Sequence, residues 1–293
     1  MSRIPSIRYL LADTACALAM LWLVFVLFAM AVGPLLLGDA AVSLDLGQRN
    51  LPPLSPTSDG LSLLGTDSLG RSMFARIVVA AQTTVGIALV ATTLSMTCGG
   101  LIGVWVATQG GWASAIVMRL VDVIMSFPSL LMALVVLYVL GPSPANIVLV
   151  LAITRLPIFI RTARSQALEI KERPFVKSAR VTGAGTLHIA RKHVVPLVLP
   201  TVLTVASLEF AFIILAESAL SFLGVGVQPP GMTWGLMVSQ GRAYLASAWW
   251  LSFWPGLAIM LTALSANILA NQFRLESDPV LASRLTQGAR ADA

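Results

Sequence analysis

The stretch that decides the fold of this chain is "KSARVTGAGTLHIARKHVVP", residues 177–196. It is rich in Lys and Arg, contains no Asp or Glu, and lies between long apolar runs. Gly183 and Gly185 stand two residues apart, and glycine permits a sharp break because it tolerates positive φ. The flanking residues follow a helical pattern, and Thr186 is predicted to cap the second short helix. We therefore expect two short helices, with apolar and cationic sides, that lie along a membrane surface as a docking element.

The composition around this stretch indicates that most of the protein lies in lipid. Of the 293 residues, 57% are hydrophobic and 11% are charged, whereas a soluble domain carries about 25% charged residues. The net charge of +6 would suit nucleic acid, but the cations do not alternate with aromatic residues in strands, so we expect no nucleic-acid partner. Cys16 and Cys98 lie in apolar runs and indicate small buried side chains rather than a disulfide framework or a metal site.

Six apolar segments are candidates to cross a membrane core of roughly 30 Å. They lie at 14–38, 77–107, 119–140, 145–160, 194–222 and 248–271. The first segment also resembles a signal peptide, but its apolar run is longer than the h-region of about 7–15 residues that signal peptides have. The sequence therefore predicts an all-α, polytopic membrane protein with six transmembrane helices.

This assignment divides the chain into three parts. Residues 1–76 hold the N-terminal span and a polar loop that is expected to be extended and to end in a short helix. Residues 77–273 form the core domain, which contains a polar loop at about 161–193, and residues 274–293 form a tail. Within the third span, Arg119 and Asp122 are three residues apart, so they share a helix face and are predicted to pair.

The distribution of Lys and Arg predicts the orientation of the spans. With both termini in the cytoplasm, fifteen of the 19 Lys and Arg residues lie on the cytoplasmic side, eight of them within 161–192 and one of them Arg155. The other four are Arg49, Arg71, Arg76 and Arg242. Cytoplasmic loops carry an excess of Lys and Arg, so this bias predicts cytoplasmic termini and a cytoplasmic loop at 161–193.

The basic stretch resembles the EAA loop of type I ABC importer permeases. That loop has a Glu-Ala-Ala triplet, then a glycine, and later a short apolar run that ends in proline. Here Lys177, Ser178 and Ala179 stand at the triplet, with Lys177 in place of the acidic residue and Ser178 in place of an alanine. Gly183 stands at the glycine, and Pro196 ends the apolar run.

Three further segments are similar to the dipeptide, oligopeptide and nickel permeases of this group. They are "LGTDSLGRSMFAR" (64–76), "MRLVDVIMSFPSLLMAL" (118–134) and "AESALSFLGVGVQPPGMTWGLMVSQGR" (216–242). The tail departs, since "NILANQFRLESDP" lacks the glycine-aspartate-glycine run common there. The resemblance implies the type I ABC importer permease fold and the role of a C-type permease subunit in a bacterial inner membrane.

The resemblance also implies the partners and the energy source. The expected partners are a homologous second permease subunit, two ATPase subunits, an extracytoplasmic substrate-binding protein and membrane lipid. The chain has no Gly-x-x-x-x-Gly-Lys-Ser/Thr motif, so ATP and Mg are expected on the partner ATPases, with no cofactor, metal site or catalytic residue in this chain. Di- or oligopeptides are the first candidates for the imported solute, and nickel, a metal chelate or a glutathione-like solute are the alternatives.

Three sets of residues are candidates for these roles. The family's loop forms a coupling helix that docks in a groove of the ATPase, which nominates Lys177, Ser178, Ala179, Gly183, Gly185, Leu187, Ile189, His193 and Pro196. The extracytoplasmic motif comprises Thr66, Asp67, Gly70 and Arg71, although Thr66 and Asp67 would also serve as a simple helix cap. Glu209 and Glu217 are candidates for the translocation path, because a carboxylate in lipid normally faces a partner or a wet cavity.

The two glutamates leave alternatives open. Glu217 would bind a substrate amine or a cation, or would only cap a neighbouring helix, and Glu209 lies deeper and is a candidate to be protonated. A proton-coupled secondary transporter that uses both glutamates is the rival class. Such transporters often have two matching halves, and no such symmetry is seen in this sequence. Glycines 99, 100 and 103 are expected to allow close helix packing.

Overall fold

The computed structural model describes residues 14–57 and 60–277, and most of this part of the chain is helical. Five long helices are apolar enough to cross a membrane: α1 (Thr14–Val42), α2 (Met73–Gln109), α5 (Pro144–Lys171), α8 (Val195–Phe222) and α10 (Trp250–Ser277). The shorter helices are α3 (Gly111–Ser126), α4 (Ser129–Leu140), α6 (Pro174–Val181), α7 (Thr186–Ile189) and α9 (Trp234–Gly241). The prediction of an all-α polytopic chain is confirmed.

The third predicted span is not one straight helix. Helices α3 and α4 meet at an angle of 90° across Phe127 and Pro128, and they make a sixth span only when the bent pair is counted as one. Phe127 has an extended backbone (φ −94°, ψ 139°) because the ring of Pro128 disfavours the helical conformation in the preceding residue. Pro128 therefore sets the position of the bend.

The segment between α1 and α2 is folded, whereas the sequence predicted an extended loop that ends in a short helix. It contains a 3-10 turn, Leu46–Gln48, and an antiparallel hairpin in which β1 (Ser55–Thr57) pairs with β2 (Gly60–Ser62). Instead of a short terminal helix, the long helix α2 begins directly after it. We call the side of the bundle that carries residues 43–72 the hairpin end, and the opposite side, where α2 and α5 finish, the loop end.

Other helix boundaries also move relative to the sequence prediction. Helix α5 continues through Arg161 to Lys171, so the first third of the predicted polar loop is helical. Helix α10 runs past residue 273, where the tail was predicted to begin. The described residues include neither 278–293 nor Arg3 and Arg8, although these parts of the chain contribute to the predicted orientation.

Helices α2 and α5 cross closely at Gly99 and Gly103, two of the glycines for which the sequence predicts close packing. A Cβ atom on Gly103 would lie 2.6 Å from the carbonyl oxygen of Ile160 and 2.7 Å from Cβ of Ala163. A Cβ atom on Gly99 would lie 2.6 Å from Cβ of Phe159. The close-packing role expected for Gly99 and Gly103 is therefore confirmed, because only glycine lets the two backbones come this near. The same role predicted for Gly100 is wrong, because a Cβ atom there would lie 3.8 Å from its nearest atom, Cγ1 of Val202, which is an ordinary contact distance.

The two ends of the bundle have separate apolar cores. At the hairpin end, the buried indole of Trp234 donates to the carbonyl oxygen of Ile77 at 2.8 Å, and the Trp234 backbone N–H donates to Thr84 Oγ1 at 3.0 Å. At the loop end, a second core joins the ends of α2, α5 and α8 to the segment after α5; its buried members include Val104, Ala107, Ala163, Ala167, Ile170, Val176, Ile189, Val194 and Val198. The short helices of the predicted docking element are thus part of a packed core.

The glycine crossing yields a stability prediction. Gly103→Val should lower the free energy of unfolding by about 1–3 kcal/mol, because the added methyl groups have no space between the two helices. Gly100→Val is the matched control and should change it by less than about 0.5 kcal/mol. The unfolding midpoints of the purified variants measure the difference, and equal midpoints would contradict the packing role of Gly103.

Candidate coupling surface and polar sites

Residues 172–194, which we call the coupling segment, connect α5 to α8 by two short helices and one wide turn. Arg173 precedes α6, and Pro174 occupies its first position, where a missing N–H costs nothing. After α7, residues Ala190–Val194 form a π-helical turn that leads into α8. The prediction of two short helices separated by glycines is confirmed.

The two glycines of the coupling segment differ in their backbone. Gly183 has a φ of +90°, and its N–H donates to the carbonyl oxygen of Arg180 at 3.1 Å, so it ends α6 in a conformation that favours glycine. Gly185 has a φ of −68°, which any residue adopts. Gly185 also takes the position before the first helical turn of α7, so Thr186 is the first residue of the helix, and its predicted role as a cap is wrong.

The predicted coupling residues divide into an inward set and an outward set. Ile189 is buried, together with Val176 and Val194, and these side chains fasten the segment to the core at the loop end. Leu187 is 81% exposed and Val181 is 88% exposed. Because both side chains lie on the basic segment rather than on a long apolar helix, they are candidates for contact with a partner.

The remaining predicted coupling residues lie around this surface. The exposed ones are Lys177, Ser178, Gly183, Gly185 and Pro196, and the half-buried ones are Ala179 and His193. The ring of His193 lies 6.0 Å from the ring of Phe175 and 6.3 Å from that of His188, so it braces α6 against α7.

Lys177, which stands where the family has an acidic residue, has a partner inside the segment. Its Nζ lies 2.9 Å from Glu172 Oε2. The hydrogen bond from Lys177, followed by its charge, lowers the pKa of the Glu172 carboxyl. Both side chains are largely exposed, so this pair contributes little to stability.

Two polar contacts tie the helices to one another at the loop end. Lys171 Nζ donates to the carbonyl oxygen of Ala107 at 2.6 Å, and so joins the last turn of α5 to the last turns of α2. Arg161 Nη2 lies 2.6 Å from Asp122 Oδ1, which joins α5 to α3. The predicted pairing of Asp122 with Arg119 is therefore wrong, because the neighbouring helix α5 brings another guanidinium to that carboxylate.

Arg155 is the main polar feature of the bundle interior. It is buried in α5, although the orientation count treated it as a loop residue. Its Nη2 donates to Ser129 Oγ at 2.6 Å, its Nη1 lies 3.6 Å from Glu209 Oε2, and its guanidinium stacks 3.7 Å from the ring of Phe212. Since Ser129 begins α4 just after the bend, one arginine connects the bend to α5 and α8.

Sequence reasoning missed Arg155 as a site residue, although a signal was present. Arg155 is the one charged residue of the predicted apolar span 145–160, and a cation in such a span is costly and normally marks an interior partner. Glu209 lies across from it on α8 and was singled out only for its own burial. The pairing could not be read from the sequence because it depends on how α5 and α8 pack.

Glu217 is the most buried acidic residue among those the structure describes, with 0% exposure. Its Oε1 accepts a hydrogen bond from Ser221 Oγ at 2.7 Å, and its Oε2 accepts one from Ser218 Oγ at 3.4 Å. The side chain of Thr233, the residue before α9, also lies beside this carboxyl. This geometry favours the helix-linking interpretation of Glu217 over contact with a substrate.

The motif at the hairpin end forms a tight turn rather than a helix cap. Thr66 Oγ1 accepts from the N–H of Leu51, and Asp67 Oδ1 accepts from the N–H of Arg71 at 2.9 Å. Gly70 has a φ of +80°, and a Cβ there would overlap the carbonyl oxygen of Asp45. The cap of α2 is Ser72, whose Oγ accepts from Ala75 N–H.

This geometry defines a polytopic α-helical membrane protein that presents a rigidly anchored, basic segment with apolar contacts at one end of its bundle. Residues 99–276 match the family described as the binding-protein-dependent transport system inner membrane component. The chain belongs to this family, so the family resemblance of its sequence is confirmed.

Several relatives are similar over most of their length. The Escherichia coli protein named "Probable D,D-dipeptide transport system permease protein DdpC" is 36% identical over 257 residues, which cover 88% of this chain and 85% of the relative. The di/tripeptide transport system permease protein DppC of Pseudomonas aeruginosa is 37% identical, covering 75% and 72%. The glutathione transport system permease protein GsiD of Pectobacterium atrosepticum is 32% identical, covering 94% and 90%.

A solved structure supports the fold. The inward-facing MetNI methionine ABC transporter contains a chain that superposes with a TM-score of 0.58 at 16% identity. The match covers 70% of this chain and 97% of that chain. The predicted type I ABC importer permease fold is therefore confirmed.

The buried pair yields a second prediction. Arg155→Leu and Glu209→Leu should each destabilise the protein by about 1–3 kcal/mol, because each leaves one buried charge without its partner. The double variant should lose less than the sum, with a coupling of about 1 kcal/mol. The control is the same cycle on Arg173 and Glu169, an exposed pair at 2.9 Å, which should show almost no coupling. Additive losses at Arg155 and Glu209 would contradict the pairing.

Proposed function

We propose that this chain is a membrane-spanning permease subunit of an ATP-driven importer that moves peptides across the bacterial inner membrane by alternating access. One observation carries this proposal: the coupling segment is anchored in the core through Val176, Ile189 and Val194, while it presents Val181 and Leu187 outward. A segment that is fixed to the bundle on one side and exposed to a partner on the other is suited to transmit the partner's movement to the bundle.

The proposed mechanism assigns the energy source to other subunits. Two ATPase subunits bind ATP and Mg, and each docks on a coupling segment of this chain or of a homologous second permease. ATP binding closes the ATPase pair, and the coupling segment moves as a rigid body. Because α2, α5 and α8 share the loop-end core with the segment, they move with it and shift the bundle between two states.

The proposed docking of the ATPases on the coupling segment also sets the orientation of the chain in the membrane. The loop end faces the cytoplasm, as the excess of Lys and Arg there favours, and the hairpin end faces outward. An extracytoplasmic binding protein delivers the solute at the hairpin end. The termini lie outside the described residues, and their cytoplasmic location is part of the proposal.

Peptides are the proposed solute because relatives that match most of this chain bear names of dipeptide or di/tripeptide permeases. A glutathione-like solute is the second candidate, and a relative with 90% coverage carries that name. Glutathione is itself a small peptide, so both candidates share an amine, a carboxylate and amide groups.

In this scheme Arg155 and Glu209 line the translocation path or control its opening, and Glu217 supports the loop after α8. The proton-coupled alternative has less support, because Glu209 faces Arg155 at 3.6 Å and Glu217 bonds to Ser221 and Ser218. Membership in a binding-protein-dependent family also favours an external energy source.

Coupling is tested at the two glycines of the segment. Gly183→Ala should reduce ATP-driven uptake by the complete transporter roughly tenfold, because a side chain at φ +90° costs about 1–2 kcal/mol and shifts α6 relative to α7. Gly185→Ala is the matched control, and its uptake should stay near normal. Normal uptake by Gly183→Ala, at equal amounts of protein in the membrane, would contradict the coupling role.

A second experiment tests whether the ATPase subunits bind at all, separately from whether their movement reaches the bundle. Leu187→Asp should release the ATPase subunits during co-purification, whereas Thr186→Asp, at the adjacent exposed position, should retain them. Retention of the ATPases by both variants would count against the outward apolar surface as the docking site.

The solute is tested by competition. In membrane vesicles that carry the complete transporter, uptake of a labelled dipeptide should require ATP and should fall when unlabelled dipeptide is in excess. Competition by glutathione alone would favour the second candidate, and competition by free nickel alone would contradict a peptide solute.

A further inference from the structure

A cavity of about 300 Å³ lies at the hairpin end, between the 66–71 turn, the first turn of α2 and the residues after α9. This volume is at the lower limit of the sizes that small-molecule sites have, roughly 300–1,000 Å³. Its polar wall is formed by Asp67, Ser68, Arg71, Arg76, Gln240 and Tyr244, and its apolar wall includes Leu69, Met73, Met237 and Leu251. Gln240 is exposed, so the cavity opens to the surface.

Arg76 is a buried cation whose hydrogen-bonding capacity is poorly used. Its residue exposure is 3%, and its Nη1 has no hydrogen-bond partner. The bond from Nη2 to Gln240 Oε1 is long, at 3.4 Å. A buried N–H donor that is left unpaired is costly, so an incoming acceptor at Arg76 Nη1 would be favourable.

Asp67 does not complete the site, because its carboxylate is directed toward Arg71. Oδ1 accepts from the N–H groups of Leu69 and Arg71 at 2.9 Å each, and Oδ2 accepts from Arg71 Nε at 2.8 Å and lies 2.7 Å from Nη2. Arg76 Nη1 lies 3.5 Å from the same Oδ2. Two guanidinium groups therefore converge on one carboxylate oxygen that is already occupied, which leaves one positive charge in excess beside the cavity.

The two walls of the cavity indicate the class of ligand. Guanidinium groups bind planar carboxylates through paired N–H···O bonds. Inorganic phosphate would use the polar wall alone, whereas Leu69, Met73, Met237 and Leu251 offer contact to a short aliphatic body. A small aliphatic carboxylate matches both walls.

We propose that this cavity is a binding site for the carboxylate group of a small aliphatic acid, held by Arg76 and Arg71 with its apolar part against Met73 and Met237. A free short-chain carboxylic acid presents this chemistry. The site lies apart from Arg155 and from the coupling segment, so it stands whether or not the imported solute is a peptide.

The test uses the full chain in a non-ionic detergent, where no lipid phosphate competes. The unfolding midpoint is measured against butyrate, against its neutral isostere butyramide, against inorganic phosphate and against dioctanoyl-phosphatidylglycerol, all at matched ionic strength. Ligand binding raises the midpoint with concentration, which yields an apparent Kd. Butyrate should stabilise the protein, and butyramide should not.

Two variants locate the effect. Arg76→Lys and Arg71→Lys keep the positive charge but lose the paired geometry, so each should weaken butyrate binding roughly tenfold. Arg242→Lys, an exposed arginine of the same end, is the matched control and should bind butyrate as the unchanged protein does. If Arg76→Lys does not fold, Arg71→Lys and the comparison with butyramide still decide the question.

Three results would overturn the proposal. Equal stabilisation by butyrate and butyramide would show that the charge is not recognised. Equal butyrate affinity in Arg71→Lys and in the control would place binding elsewhere. Stabilisation by phosphatidylglycerol or inorganic phosphate without stabilisation by butyrate would assign the cavity to a phosphate group. The assay contains no ATP and no partner, so its failure leaves the proposed transport function untouched.

Discussion

The structure depends on the close crossing of α2 and α5. Gly99 and Gly103 remove the side chains that would separate the two backbones, so Phe159 and Ala163 pack directly on α2. That contact fixes the position of α5, which carries Arg155 in the bundle interior and ends at Lys171 beside Ala107. The α2–α5 pair therefore holds both the bundle interior and the coupling segment in place, and its spacing depends on Gly99 and Gly103.

Polar groups strengthen the bundle where regular helix is interrupted. Arg155 reaches Ser129 just after the bend between α3 and α4. Glu217 accepts from hydroxyl groups of α8 and lies beside Thr233, where the chain leaves the long helix. Interrupted helices expose backbone groups that lipid cannot satisfy, so nearby side chains and well-packed turns are needed at such places. In this protein Arg155 and Glu217 thus each bind next to a break in a helix.

The sequence predicted the features that depend on local pattern. The apolar runs located the long helices, and the glycines of 177–196 located the two short ones. It did not predict the hairpin at Ser55–Ser62, whose short strands lack a clear alternation, nor the end of α5 at Lys171, although Ala163, Ala167 and Ile170 follow a helical spacing among the charged residues there. The pairs of Arg155 with Glu209 and of Arg161 with Asp122 depend on which helices are neighbours, and a single sequence does not contain that information.

The reversed charge at Lys177 can be understood from the geometry of the segment. In this chain the Lys177 ammonium pairs with Glu172 at the start of the segment, and both groups are largely exposed, so the fold neither requires nor forbids an acid at this position. The anchors are Val176, Ile189 and Val194, whose burial is independent of that charge. The outward contacts, Val181 and Leu187, are apolar. In the proposed coupling, a partner groove must therefore match the apolar residues in shape, while the charge at 177 selects among partners by attraction or repulsion at the rim.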